Sequence, residues 1–241
     1  METVVRVSAL AAIVVLLVGL LLQAVASQFQ PVGPDGLARG FKNRGLAMEL
    51  ARSTSEVERI LGKTNSWNRE VMRQLQVFDF AFIACYWLLF TLIAILLAQC
   101  RFSLAWPLAI GATICAGAAA VCDVWEDVFI LKVTRVLDLD AAQGLIDKCR
   151  HAAQWKWSLL FVAMLLLSSL FWHRADWRSL FGFVCGIAGL LLVATGAYGL
   201  ISLPSDGYFE GAAKLMGLAL LVLTIVLGWS AFQPVRLLPG L

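Results

Sequence analysis

Hydrophobic positions along the chain are concentrated in six long runs that are separated by polar residues. The runs cover approximately residues 7–26, 77–98, 107–131, 155–172, 180–202 and 214–233. A helix that rises about 1.5 Å per residue needs about 20 mostly apolar residues to cross the hydrocarbon part of a bilayer. We therefore predict an all-α fold, a polytopic transmembrane helical bundle with about six spans.

The first run can be interpreted in two ways. Ala24-Val25-Ala26-Ser27 follows the apolar stretch and resembles the small-residue cleavage site of a secretory signal. The apolar core from Val7 to Leu22 is longer than the roughly 7–15 residues of a signal's hydrophobic region, which favours an uncleaved membrane anchor. Cleavage would leave five spans in the mature protein.

A polar segment, residues 27–76, separates the signal-like first span (residues 1–26) from a five-span bundle (residues 77–241). Within this segment, Ser53-Thr54-Ser55-Glu56 has the form of a capping box, in which a hydroxyl and a carboxylate each accept from a free backbone N–H. We expect a short amphipathic helix to follow and to end near Gly62. From Asn68, a second helix is expected to run directly into the next span.

Composition agrees with a lipid environment. The apolar fraction is 61%, the charged fraction is 15% and the mean hydropathy is +0.83, whereas soluble domains are roughly 45–50% apolar and about 25% charged. Tryptophans, including Trp155 and Trp157, stand near many ends of the apolar runs, as expected for side chains that prefer the membrane interface. The net charge of +3 is too small to suggest a nucleic-acid partner.

Nitrogen and sulfur ligands for a metal are not grouped in the sequence. Four of the six cysteines lie inside apolar runs, and no C-x-x-C spacing occurs. His151 and His173 fall in connections on opposite sides of the predicted bundle. We assign no metal-binding residue, and the cofactor remains unknown at this stage.

Orientation in the membrane stays open because two arguments conflict. Lys and Arg residues are more numerous on the side that faces the polar segment, which would place that side in the cytoplasm. A signal-like first span would instead send the polar segment out of the cytoplasm.

Five charged residues lie inside the second, third and fourth apolar runs. They are Asp79, Asp123, Glu126, Asp127 and Lys156. Each would cost roughly 2.5–3.5 kcal/mol at the centre of a spanning helix, so each needs a partner or a purpose. Because successive spans alternate in direction, all five are expected at a similar depth on the side of the polar segment.

These charges are expected to line one polar chamber inside the bundle. The spacing of Asp123, Glu126 and Asp127 places them on one helix face, and Tyr86 lies two turns from Asp79. Protonated carboxylates, a bound cation, a water-filled pocket or an arginine of the polar segment (Arg52, Arg59, Arg69 or Arg73) could balance the acidic excess. A buried polar network that only fixes helix register is the structural alternative.

The polar helix, Asp79-Phe80-Ala81-Phe82-Ile83 with Tyr86, the acidic trio and Lys156 together resemble an uncharacterised family of small bacterial multi-span membrane proteins. The resemblance covers about residues 45–172. It implies a multi-pass protein of the bacterial inner (plasma) membrane and no particular activity.

The functional expectation is a membrane protein whose pocket binds a small amphiphile, a lipid headgroup or a cation. Asp79 and Tyr86 are the candidate ligand-binding residues. Asp123, Glu126, Asp127 and Lys156 are candidate catalytic residues if the protein is an enzyme that uses one carboxylate as a general acid or base. An accessory or scaffolding subunit of a larger membrane complex is the alternative, and a proton-coupled transporter is the third hypothesis.

Overall fold

The computed structural model describes residues 2–30, 41–62, 67–98, 103–136, 139–174, 193–200 and 210–219, with isolated positions at 37, 187, 190, 191 and 222. Within these ranges the chain is helical and no strand occurs. The α-helices are α1 (Glu2–Ala26), α2 (Arg44–Glu49), α3 (Thr54–Leu61), α4 (Trp67–Ala98), α5 (Ala105–Val133) and α6 (Gln143–Arg174). A 3₁₀ turn at Leu139–Ala142 precedes α6.

Four helices of the described part are long and apolar enough to cross a membrane. They contain the segments Arg6–Ala26, Trp67–Ala98, Ala105–Val133 and Gln143–Trp172. The prediction of an all-helical fold with membrane-length helices is therefore confirmed, but a total of about six spans is not. The two remaining predicted spans, 180–202 and 214–233, lie largely outside the described residues; residues 193–200 and 210–219 are helical.

The polar segment continues into the bundle through α4. This helix begins at Trp67, one residue from the predicted start at Asn68, and runs without a break to Ala98. The Asn68 side chain accepts from the Gln30 N–H at 2.8 Å and donates to the Gln30 carbonyl at 3.3 Å. This reciprocal contact ties the end of the α1 connection to the start of α4.

Ser53 caps α3 as predicted, while the Glu56 carboxylate contacts the residue before the N-cap. Ser53 Oγ accepts from the Glu56 N–H at 3.3 Å, while the Glu56 carboxylate accepts from the Arg52 N–H at 2.8 Å. The helix buries Val57, Ile60 and Leu61 and ends at Gly62, which has a positive φ of 78°. Because α3 packs on α2, α4 and the 3₁₀ turn, it covers one end of the bundle.

Helix α5 lies between α4 and α6 and presents a stripe of small residues to them. The stripe comprises Ala105, Ala109, Ala112, Ala116 and Ala119, which are three or four positions apart, together with the adjacent Ala120. Alanines allow helices to approach closely because they carry almost no side chain. The stripe continues into Asp123, Glu126, Asp127 and Ile130, so the acidic residues extend the most closely packed face of the bundle.

Neighbouring long helices run antiparallel. Asp79 lies near Asp127, while Trp87 lies against Gly117, so positions rise along α4 as they fall along α5. Lys156 contacts Asp123, while Leu166 lies against Gly111, which gives the same relation between α5 and α6. This alternation brings the charges of α4, α5 and α6 to a similar depth in the bundle, as the sequence predicts.

Candidate functional site

Three carboxylates surround one buried ammonium group. Lys156 Nζ lies 3.0 Å from Glu49 Oε2, 3.0 Å from Asp123 Oδ1 and 2.8 Å from Glu126 Oε2. The lysine is only 4% exposed. Helices α2, α5 and α6 thus each contribute a charged side chain to one contact network, which we call the Lys156 cluster.

Local sequence explains why these side chains meet. Asp123 and Glu126 are three residues apart and continue the buried alanine stripe of α5. Lys156 lies in an equivalent buried stripe of α6, between Ala153 and Leu160. An amphipathic face normally buries apolar residues, so these charges are held inside by the packing of their neighbours.

Asp123 joins the Lys156 cluster to a second group of carboxylates. Its Oδ2 accepts from the Tyr86 hydroxyl at 3.1 Å, while its Oδ1 contacts Lys156. One carboxylate oxygen from each of Asp79, Asp123 and Asp127 lies within 4.8 Å of the other two. We call these three residues the aspartate triad.

Asp127 is the most enclosed member of the triad. It is 0% exposed, and neither of its carboxylate oxygens has a hydrogen-bond partner among the described residues. Asp79 is partly exposed and lines an adjacent cavity. The triad therefore extends from the cavity wall into the interior of the bundle.

The cavity has a volume of about 260 Å³ and contains both charged and apolar lining. Its polar lining residues are Asn43, Glu49, Gln76, Asp79, Tyr86, Asp123 and Lys156. Its apolar lining residues are Leu22, Gly45, Leu46, Leu75, Phe82, Phe90, Trp157, Leu160, Ala213 and Met216. Of the four candidate catalytic residues, Asp123 and Lys156 line it, whereas Glu126 and Asp127 lie behind the wall.

Helix α2 covers the cavity and supplies Glu49, which the sequence analysis did not select. Asn43 caps α2 by accepting from the Leu46 N–H at 3.2 Å, and the helix buries its own residues Leu46, Ala47 and Met48. Glu49 then stands at its last position. Its Oε2 accepts from Lys156 at 3.0 Å and from the Trp157 indole N–H at 2.8 Å.

Trp157 differs from its sequence-based prediction. Its place near the start of an apolar run suggested a side chain at the membrane interface, yet the indole is buried beside Lys156 and Glu49. Trp155, two residues earlier, is 65% exposed and fits the interfacial prediction. Helix α6 begins at Gln143, so both tryptophans lie well inside it.

The carboxylate of Glu210 contacts the backbone just before α2. Glu210 Oε2 accepts from the Lys42 N–H at 2.8 Å, and its Oε1 pairs with Lys214 at 3.0 Å. Burial alone would raise the pKa of Glu210, but the hydrogen bonds and the charge of Lys214 outweigh it, and the pKa is lowered. Residues 210–219 are thereby fastened to the cover of the cavity.

Two of the arginines that could have balanced the acidic charge make other contacts. Arg69 donates to the carbonyls of Thr134 and Val136, at 3.2 and 2.9 Å, just beyond the end of α5. Arg73 pairs with Glu70 at 2.8 Å. In the described contacts, the polar segment contributes the acidic Glu49 to the Lys156 cluster, which increases the excess of negative charge.

All six residues selected from the sequence are thus brought together at a similar depth between α4, α5 and α6. Their ligand-binding and catalytic roles stay predictions. Comparison with protein-family models, with curated proteins and with solved structures finds no match to this chain. The resemblance to a bacterial membrane family likewise stays a prediction.

Proposed function

We propose that the chain is an integral membrane protein whose cavity binds a small amphiphile with a cationic headgroup. The four membrane-length helices support the membrane setting. We further propose a multi-pass topology of six spans in a bacterial inner membrane, on the basis of the six apolar runs and the family resemblance.

The observation that carries the proposal is the mixed chemistry of the cavity. Asp79, Asp123 and Lys156 form its charged wall. Phe90 and Leu160 stand one turn further along α4 and α6 than Tyr86 and Lys156, so apolar lining continues beyond the charges. A ligand with one charged end and one hydrocarbon end matches both parts of the lining.

The charge of the lining favours a positive headgroup. Three carboxylates (Glu49, Asp79 and Asp123) face the cavity with one ammonium group, Lys156. An added cation offsets this excess, whereas an anionic headgroup would increase it. Phe82 and Tyr86, whose rings meet edge to face at 5.7 Å, add aromatic surface of the kind that attracts alkylammonium groups.

The size of the cavity limits the ligand. Its volume of about 260 Å³ lies just below the roughly 300–1,000 Å³ typical of small-molecule sites. We therefore expect the cavity to enclose a headgroup and the first part of an alkyl chain. A reaction at this headgroup would depend on Asp123 and Lys156, the candidate catalytic residues that line the cavity.

The test compares three ligands that share one chain length. Octylamine, octanol and octanoate are titrated into the protein in a maltoside detergent and followed by calorimetry, with empty micelles subtracted. We expect octylamine to bind most tightly. Asp79→Asn should weaken octylamine binding about tenfold, equivalent to about 1.4 kcal/mol, because it removes a carboxylate from the wall.

Glu70→Gln provides the matched control, since Glu70 is an exposed acid on the same helix that pairs with Arg73. It should leave octylamine affinity unchanged. Equal binding of octanoate and octylamine would contradict the cationic headgroup. Unchanged octylamine affinity in Asp79→Asn would remove the cavity from the explanation.

A further inference from the structure

Asp127 differs from the neighbouring acids because it has no partner among the described residues. Glu49, Asp123 and Glu126 share Lys156, and Asp123 also accepts from Tyr86. Asp127 is fully buried, and neither of its oxygens accepts a hydrogen bond from any described residue. A buried carboxylate without a partner is costly, so it requires a counter-charge or a proton.

The geometry of the aspartate triad points to a counter-charge, and we propose that Asp79, Asp123 and Asp127 together bind one divalent cation. Their ligand oxygens lie within 4.8 Å of one another. Two oxygens on opposite sides of one ion are separated by twice the bond length, which is about 4.6–5.2 Å for Ca²⁺ and about 4.0–4.2 Å for Mg²⁺. The separations in the triad are therefore of the size found between carboxylate oxygens that share one Ca²⁺.

The chemistry of the donors selects a hard cation. All three ligands are carboxylates, the donor type preferred by Ca²⁺, Mg²⁺ and Mn²⁺. The carboxylates of the triad and of the Lys156 cluster outnumber Lys156 by five to one, since Glu49 and Glu126 join the three aspartates. A divalent ion offsets more of this excess than a monovalent ion does.

The triad also leaves room in the coordination shell. Ca²⁺ takes about six to eight oxygen ligands, so three carboxylates leave positions open. Asp79 and Asp123 line the cavity, which places the open positions on the cavity side. A bound cation is one of the sequence-based expectations for this acidic excess, although no metal-binding residue is assigned from the sequence alone.

This inference does not rest on the proposed binding of an amphiphile. Asp127 belongs to the triad but does not line the cavity, whereas Phe82 lines the cavity and is no part of the triad. Substitutions of these two residues therefore separate the two proposals. Asp127→Asn changes the cation site, and Phe82→Ala changes the ligand cavity.

Mn²⁺ is the probe. The full chain is stripped of metal in a maltoside detergent at pH 8 with 100 mM KCl, and Mn²⁺ is titrated while the signal of the free ion is followed by electron paramagnetic resonance. We expect one Mn²⁺ to bind per chain and Ca²⁺ to displace it. Asp127→Asn should bind Mn²⁺ at least about tenfold more weakly, because the ligand charge falls.

Asp147→Asn is the matched control, since Asp147 is a half-exposed aspartate of α6 that contacts Arg150. Both Asp147→Asn and Phe82→Ala should bind Mn²⁺ as the wild type does. Metal-free Asp127→Asn should unfold at the same temperature as the wild type or a higher one, because a neutral amide replaces an unpaired charge. Added Mn²⁺ should raise the unfolding temperature of the wild type but not that of Asp127→Asn.

Absence of Mn²⁺ binding to the wild type would overturn the cation site, whether or not the variant folds. So would equal Mn²⁺ affinity in Asp127→Asn, or displacement of Mn²⁺ when 100 mM NaCl replaces the KCl. Mn²⁺ binding without octylamine binding would leave the cation site standing and reject only the proposed ligand. Octylamine binding without Mn²⁺ binding would reject only the cation site.

Discussion

Substitution of Lys156 by methionine should be among the most destabilising single changes in the bundle. Methionine keeps the length and the apolar stem but removes the ammonium group, which lies 2.8–3.0 Å from three carboxylates. At an effective dielectric constant near 20, each such contact corresponds to about 5–6 kcal/mol of Coulomb attraction. The variant no longer has to desolvate an ammonium group, and its carboxylates can take up protons or cations. These two effects offset most of the lost attraction.

The cost that remains should approach the roughly 3–5 kcal/mol measured when one partner of a buried ion pair is removed. Glu49→Gln should cost much less, because Lys156 keeps Asp123 and Glu126 and the amide oxygen can still accept from Trp157. The free energy of unfolding in maltoside, measured with increasing denaturant, checks both values. If Glu49→Gln cost as much as Lys156→Met, the reasoning that one ammonium group stabilises three carboxylates would be refuted.

Three further predictions address the parts that position the site. Ala116→Leu should destabilise the bundle by about 1–3 kcal/mol, because Ala116 is 0% exposed in the close-packed stripe; Ile114→Leu, at a position 64% exposed on the same helix, should have little effect in the same unfolding assay. Ser53→Ala should cost about 1 kcal/mol by removing the N-cap of α3, and Ser53→Asn should restore most of it. The lowered pKa of Glu210 means that its contribution to stability is complete above its ordinary pKa of 4.5 and is lost as the pH falls through the folded value. Glu210→Gln should therefore lose less free energy of unfolding than the wild type as the pH falls below 4.5 and through the folded pKa, and identical pH profiles would contradict this prediction.

Much of the site follows from sequence periodicity and the alternation of spans. The spacing of Asp123, Glu126 and Asp127 fixes their shared helix face, and alternating spans fix their common depth with Asp79 and Lys156. These rules depend only on helix geometry and on span length. The structure accordingly places all five charges at a similar depth along the long helices.

The contribution of α2 could not be predicted in the same way. This helix has only six residues, Arg44–Glu49, which is too short for a clear hydrophobic period. Glu49 therefore looked like any acid of a polar segment, although it lies beside Lys156 and Trp157. Its position depends on tertiary contacts such as that of Glu210 with Lys42, which are distant in sequence.

The burial of Trp157 follows from this unpredicted contact. A tryptophan at the start of an apolar run normally marks the membrane interface, because its N–H finds a polar partner there. Here Glu49 supplies that partner inside the protein, at 2.8 Å from the indole nitrogen. A sequence rule for tryptophan assumes that the polar partner is water or a headgroup, and it fails where the protein provides one.

The alanine stripe of α5 explains why solvent does not reach the excess carboxylates and screen their charge. Small side chains draw α4 and α6 close to α5, and the stripe ends directly at Asp123, Glu126 and Asp127. The close approach that stabilises the helix contacts therefore also encloses the carboxylates, while α2 covers them from the end. Lys156 contacts Glu49, Asp123 and Glu126, so the demand for further positive charge falls on Asp79 and Asp127. An ammonium headgroup in the cavity and a divalent ion in the triad answer the same demand, and Asp127 distinguishes them because it lies behind the cavity wall.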